Sequence, residues 1–193
     1  MKTRIEDFLK QHLGRLLLLG GVGAYMVVSE VAGHGLARGQ IGFPPLISSA
    51  NAADAFAGPK TPAWELKDVD GKPVKSSDFE GKVVILDFWA TWCPPCEAEI
   101  PGFVELQKKY GDKGLVVIGV SLDEQGPQAV KPFMKEFGVN YPVVMGDPKI
   151  VQDFGGIAAI PTTFVIDRNG KILARHVGYV PKETFEKQII PFL

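Results

Sequence analysis

The sequence predicts an α/β domain: a central mixed β-sheet with helices on both faces. Three observations carry this expectation. Lys82–Trp89 (KVVILDFW) and Leu115–Ser121 (LVVIGVS) are nearly continuous apolar runs of strand length, the pattern of strands buried on both faces. The segment between them has the length of a helix and closes on Lys108, Lys109 and Gly111, a basic last turn followed by glycine. Thr162–Ile166 and Lys171–His176 alternate around Arg168-Asn169-Gly170, as the two arms of a hairpin do. The order β-α-β-α, then a hairpin, then a helix, fits a layered sheet.

Taken in chain order, the first sixty residues differ from the rest. A chain of 193 residues exceeds one domain of about 100 to 150 residues, so some of its length needs another explanation. Residues 1–15 carry Lys2, Arg4, Lys10 and Arg15 against Glu6 and Asp7, and Leu16–Val28 then runs thirteen residues without a charge. Basic flank and apolar run together predict, over residues 1–38, a secretory signal peptide or an uncleaved membrane anchor, with the remainder of the chain outside the cytoplasm. Thirteen residues is short of the ~20 that span a bilayer, and the small-x-small sites at Ala50–Ala52 and Ala53–Ala55 stand more than twenty residues beyond Val28, so both forms stay open. Residues 39–61, rich in Gly, Pro, Ala and Ser, read as a linker, and 62–193 as the folded domain.

Within that domain, Ala63–Asp68 and Lys72–Lys75 flank an Asp70-Gly71 turn and predict a small hairpin ahead of the first buried strand. Helix follows at Pro127–Phe137, a short strand at Tyr141–Met145, a helical turn at Pro148–Phe154 and a closing helix at Pro181–Ile190. Apolar residues make up 46% and charged residues 22%, which excludes wholesale disorder. Basic and acidic residues number 21 and 22, and this balance excludes a basic surface for nonspecific nucleic-acid binding.

The chemistry is concentrated in Trp92-Cys93-Pro94-Pro95-Cys96, placed between a buried strand and the start of a helix. A cysteine at a helix N-terminus meets unpaired backbone N–H groups and the positive end of the dipole, which favour thiolate, the species that attacks disulfides. Cys96, one turn on, is placed to attack the resulting mixed disulfide. As a mere crosslink the pair would contribute roughly 2 kcal/mol, against about 4.7 for a 100-residue loop. Zinc fits poorly, because His12, His34 and His176 are scattered. No metal or cofactor is called for, since the dithiol itself carries the electrons.

Asp87–Cys96 (DFWATWCPPC), together with Ile160–Phe164 (IPTTF) some sixty-five residues later, resembles the TlpA/ResA-like thiol-disulfide oxidoreductases of the thioredoxin superfamily. The resemblance covers roughly Pro62–Leu193. It implies a thioredoxin fold with an N-terminal hairpin and a central insertion within Gln125–Ala159. The activity it implies is reduction of disulfides in exported proteins, for example in cytochrome c maturation, with electrons from a membrane thiol reductase. It also implies a cis peptide bond before Pro161, facing the cysteines. That bond would turn the Ile160 backbone toward an incoming peptide.

Other positions are read beside the resemblance. Alternation puts Asp87 on one face of its strand with Val83, Ile85 and Trp89, where a buried carboxylate acquires a raised pKa suited to proton transfer with Cys96. Asp87 also matches the buried acid of thioredoxins, a position where many TlpA-like proteins carry a neutral residue. Glu99 shares a helix face with Cys96 and matches an acid that relatives hold near the site, though the helix dipole alone also favours an acid there. Glu97 reads as surface. Pro101 should kink the helix. Trp92, Pro94 and Pro95 would form, with Ile160 and Pro161, a surface for protein substrates, whereas Trp89 reads equally well as core. Two rival functions are a peroxiredoxin-like peroxidase and a copper chaperone using Cys93, Cys96 and His176. The spacing of Thr91 from Cys93 argues against the first. An ordinary strand histidine competes with the second.

Overall fold

The computed structural model describes residues 58–193. The signal or anchor expected over 1–38, and the linker as far as residue 57, lie outside the described residues. The described chain forms β1 (Glu65–Asp68), β2 (Pro73–Lys75), β3 (Val83–Trp89), α1 (Pro94–Tyr110), β4 (Leu115–Ser121), α2 (Pro127–Glu136), β5 (Val143–Met145), α3 (Pro148–Asp153), β6 (Thr162–Ile166), β7 (Ile172–Val177) and α4 (Lys182–Ile189). The seven strands make one sheet in the order β2-β1-β5-β4-β3-β6-β7. β3, β4 and β5 run parallel, joined by the crossovers through α1 and α2, whereas β6 and β1 flank them antiparallel. The sheet is therefore mixed, and β3, the strand that leads into the cysteines, lies inside it between β4 and β6.

Every residue of β3 is buried, because the strand has neighbours on both edges and packing on both faces. Val83, Ile85 and Trp89 enter a core shared with Cys93, Cys96, Ile100, Phe103 and Phe185 from α1 and α4. Val84, Leu86 and Phe88 enter a second core with Ile118, Val120, Val144, Phe154 and Phe164. Trp89 needs Gly119 beside it on β4, since a Cβ at that position would stand 2.7 Å from the indole Nε1.

Two details depart from the sequence reading. Gly111 does not take the left-handed cap. Its φ is −54°, the helix passes into a 3-10 turn over Gly111–Lys113, and Gly114 adopts φ 99° instead. Register decides this, because the Gly114 carbonyl must accept the Val83 amide at 3.0 Å where β4 enters beside β3. Residues 59–61, read as linker, join the fold: the Pro59 carbonyl accepts from the Ile172 amide, the Thr61 amide donates to Gly170, and Lys60 bridges to Lys171. α1 runs on through Pro101, which supplies no amide to its first turn.

Candidate active site

Cys93 is the N-cap of α1, with extended backbone, and is joined to Cys96 by a disulfide across a Cα–Cα distance of 5.3 Å. Pro94 and Pro95 fill the first two helical positions and have no N–H to offer. The first free amide of the helix is that of Cys96, and it donates to the Cys93 sulfur at 3.3 Å. The Glu97 amide is already taken by the Cys93 carbonyl. One N–H, where a helix terminus has several to give, therefore reaches the Cys93 sulfur.

Across from the sulfur lies the loop before β6. The Ile160–Pro161 peptide is cis, and the Ile160 carbonyl oxygen stands 3.7 Å from the Cys93 sulfur. Pro161 is buried and its carbonyl accepts the Gly178 amide at 2.8 Å, which draws the end of β7 to the same spot. Pro94 and Pro95 are exposed, and Trp92 is 68% exposed, the largest such value among the big apolar side chains. Val177 and Tyr179, on either side of Gly178, are 59% and 53% exposed. The sequence reading missed these two: nothing near His176 marks a site until the Gly178–Pro161 bond is known.

Two acidic side chains on this side of the sheet are buried. Asp87 is 3% exposed, with Thr163 Oγ1 donating to its Oδ1 at 3.0 Å. Burial, and then the charge of Glu99, hold its carboxyl well above the usual carboxylate range, with the Thr163 hydroxyl acting the other way. Glu99 is 4% exposed, so the surface reading of this residue gives way to a buried one. Its Oε1 accepts the Val180 amide at 2.5 Å and its Oε2 has no partner. Burial lifts its pKa to about 7 against that hydrogen bond. A cavity of about 180 Å³ beside it is lined by Gly102, Phe103, Tyr179 and Lys182. Buried Tyr141, read from the sequence only as the start of a short strand, has its phenol pushed up by burial and by the charges of Asp87 and Glu99.

His176 is not drawn to the cysteines. It pairs with Thr163 across β6 and β7, its Nε2 lies 3.0 Å from Gln188 Oε1, and its ring packs edge-on against Phe185. Among the described residues no group of three or more His, Cys, Asp or Glu could hold a metal ion, so the copper-chaperone set is not assembled. Trp89 belongs to the core at 2% exposure, tilted on Phe133 at 5.2 Å.

A thioredoxin-like sheet with a Cys-x-x-Cys disulfide at a helix start, opposite a cis-proline, defines a thiol-disulfide oxidoreductase. The chain belongs to the Redoxin family, which matches residues 56–189. It is similar to the thiol-disulfide oxidoreductase ResA of Bacillus anthracis, 37% identical over 137 residues, 69% of this chain and 79% of that protein. Among solved structures, a thioredoxin-family thiol:disulfide interchange protein from Chlorobium tepidum TLS is 39% identical with a TM-score of 0.66, covering 72% of this chain and 99% of that one. A secreted thiol-disulfide isomerase from Corynebacterium glutamicum is 25% identical with a TM-score of 0.65, covering 68% and 84%.

Proposed function

We propose that this oxidoreductase works in the reducing direction, on proteins outside the cytoplasm. The observation that carries the reading is the solvation of Cys93. Two prolines leave one amide for the sulfur, and two buried carboxylates lie behind the pair. Weak stabilisation of the thiolate disfavours the dithiol form, so the disulfide is favoured and the dithiol gives up its electrons readily.

In the forward reaction the Cys93 thiolate attacks one sulfur of a substrate disulfide, forming the mixed disulfide and releasing the other substrate sulfur as a thiolate, which takes up a proton. Cys96 loses its proton to the Asp87 carboxylate, whose proton affinity burial raises above the ordinary carboxylate range. It then attacks Cys93, expelling the second substrate thiolate. Two electrons pass to the substrate, and the Cys93–Cys96 disulfide forms. Glu99, poised near neutrality, relays protons toward Asp87. Trp92, Pro94, Pro95, Ile160 and Pro161 receive the substrate chain, which pairs with the Ile160 backbone as an added strand. A membrane thiol reductase returns the electrons, and apocytochrome c is one substrate of suitable chemistry.

The ResA relatives, the secreted isomerase and the charge pattern before Leu16 support placement outside the cytoplasm, with residues 1–38 as signal or anchor. Equilibration with glutathione tests the direction: a potential nearer about −270 mV is expected, and one above roughly −180 mV makes the protein a net oxidant and overturns the reading. A reporter enzyme fused after Leu193 tests the location, and activity confined to the cytoplasm would contradict it.

A further inference from the structure

Asp123 lies just past β4, outside every motif discussed so far, and is 7% exposed. A carboxylate so buried costs several kcal/mol unless donors compensate it. Its donors are specific. The Thr91 amide lies 3.2 and 3.1 Å from Oδ1 and Oδ2, the Thr91 hydroxyl donates to Oδ1 at 2.5 Å, and the Ser121 hydroxyl donates to Oδ2 at 2.8 Å. Two of the three donor groups belong to one residue, two positions before Cys93.

The place of this contact gives it meaning. The parallel ladder between β3 and β4 ends at Trp89 and Ser121, followed by one more rung in which the Leu122 amide donates to the Trp89 carbonyl at 2.8 Å. The chain carrying Cys93 then leaves the sheet. Where the next backbone acceptor would stand, the Asp123 side chain supplies it, so the ladder is extended by a carboxylate in place of a carbonyl. Beyond Thr91, the Cys93 amide closes back on the Ala90 carbonyl at 3.3 Å. The turn 90–93 is thus pinned at both ends, and the Cys93 sulfur is set in front of the Cys96 amide. A charged acceptor makes a stronger bond than a neutral one and so fixes the turn more firmly.

We infer that Asp123 is a positioning residue for thiol-disulfide exchange: it acts through Thr91 to hold Cys93 at the start of α1. This inference rests on the exchange chemistry alone and is independent of its direction. The test uses the full-length chain with Asp123→Asn and Asp123→Ala. Asparagine keeps an oxygen for Thr91 and removes the charge, whereas alanine also releases the turn. Two readouts are taken, the pH profile of Cys93 alkylation by iodoacetamide and the rate of reduction of a small aromatic disulfide at a pH above that midpoint.

Relative to Asp123→Asn, Asp123→Ala should move the alkylation midpoint up by about half a pH unit, as the sulfur loses its helix-terminal position. It should also slow the exchange roughly tenfold, as misplaced nucleophiles do. Coincidence of Asp123→Ala with the wild-type chain in both readouts, with circular dichroism showing the variant folded, would overturn the inference. If Asp123→Ala fails to fold, Thr91→Val and Thr91→Ser decide the matter. The first removes the hydroxyl and should be the slower of the two, the second restores it, and equal rates overturn the proposal.

Discussion

The two faces of β3 divide the molecule into unlike halves. On one face Phe88 meets Phe154 and Phe164 edge-on, the three rings 5.1 to 6.0 Å apart, among aliphatic side chains. On the other, the positions alternating with these are Val83, Ile85, Asp87 and Trp89. That core contains the disulfide, and beside it lie two buried acids, a buried phenol and two orphaned polar atoms, Trp89 Nε1 and Glu99 Oε2. A single strand thus serves as foundation on one side and as reactive surface on the other. Burial that stabilises the first half is the same burial that raises the proton affinities of the second. Function is built where local rules of satisfaction are broken, and the intact face compensates.

The sharpest break in this comparison is chemical. Cys93→Ser should abolish turnover and trap no mixed disulfide with substrate, whereas Cys96→Ser should accumulate one, seen on non-reducing gels. Equal trapping by both variants would remove the division of labour between the sulfurs. On the opposite face, Phe88→Ala should cost about 3–5 kcal/mol in urea unfolding by opening a cavity, while the redox potential of the folded fraction stays unchanged. A shifted potential would mean that the two faces are coupled.

The acids should behave in the reverse sense. Folded Glu99 holds its proton to about pH 7, against 4.5 for its ordinary value, so the native state binds more protons than the unfolded one between those limits. Its contribution to stability is complete below pH 4.5 and is lost as the pH rises through about 7. Glu99→Gln should flatten that slope and gain up to about 3 kcal/mol at pH 8, at the expense of slower exchange. An unchanged stability-pH profile would contradict the burial argument. Smallest in stability is Trp92→Ala, expected to stay within about 0.5 kcal/mol because the ring is already in water, while KM for a protein substrate rises. An unchanged KM would take Trp92 out of the docking surface.

Local pattern explains what could be read beforehand. β4 was legible end to end, because Leu115–Ser121 is an apolar run with clear limits, and the 162–177 hairpin was legible from its turn. Cys93 and Cys96 announce themselves by spacing. Glu99 could be placed on the Cys96 face of α1 but not declared buried, since its partner Val180 lies 81 residues away. Asp123 left no trace at all: its partner Thr91 is 32 residues distant, and an acid after a strand ordinarily reads as loop. Gly111 was given the cap on local sequence, and the β3–β4 register moved it to Gly114.

The short pairing of residues 59–61 with β7 has a consequence for handling the protein. The sheet has two outer strands. β2 is three residues long and begins with Pro73, which has no amide to offer, and it ends on Lys75, so it is a poor template for another strand. β7 is six residues long, with half-buried Ile172 and Leu173, and its start is occupied by Pro59–Thr61. A domain trimmed to begin at Pro62 would bare that edge, leaving the Ile172 amide and the Gly170 carbonyl open to a strand from a second molecule. Self-association that grows with concentration is the expected behaviour of such a fragment, and keeping the residues from Gly58 onward should suppress it.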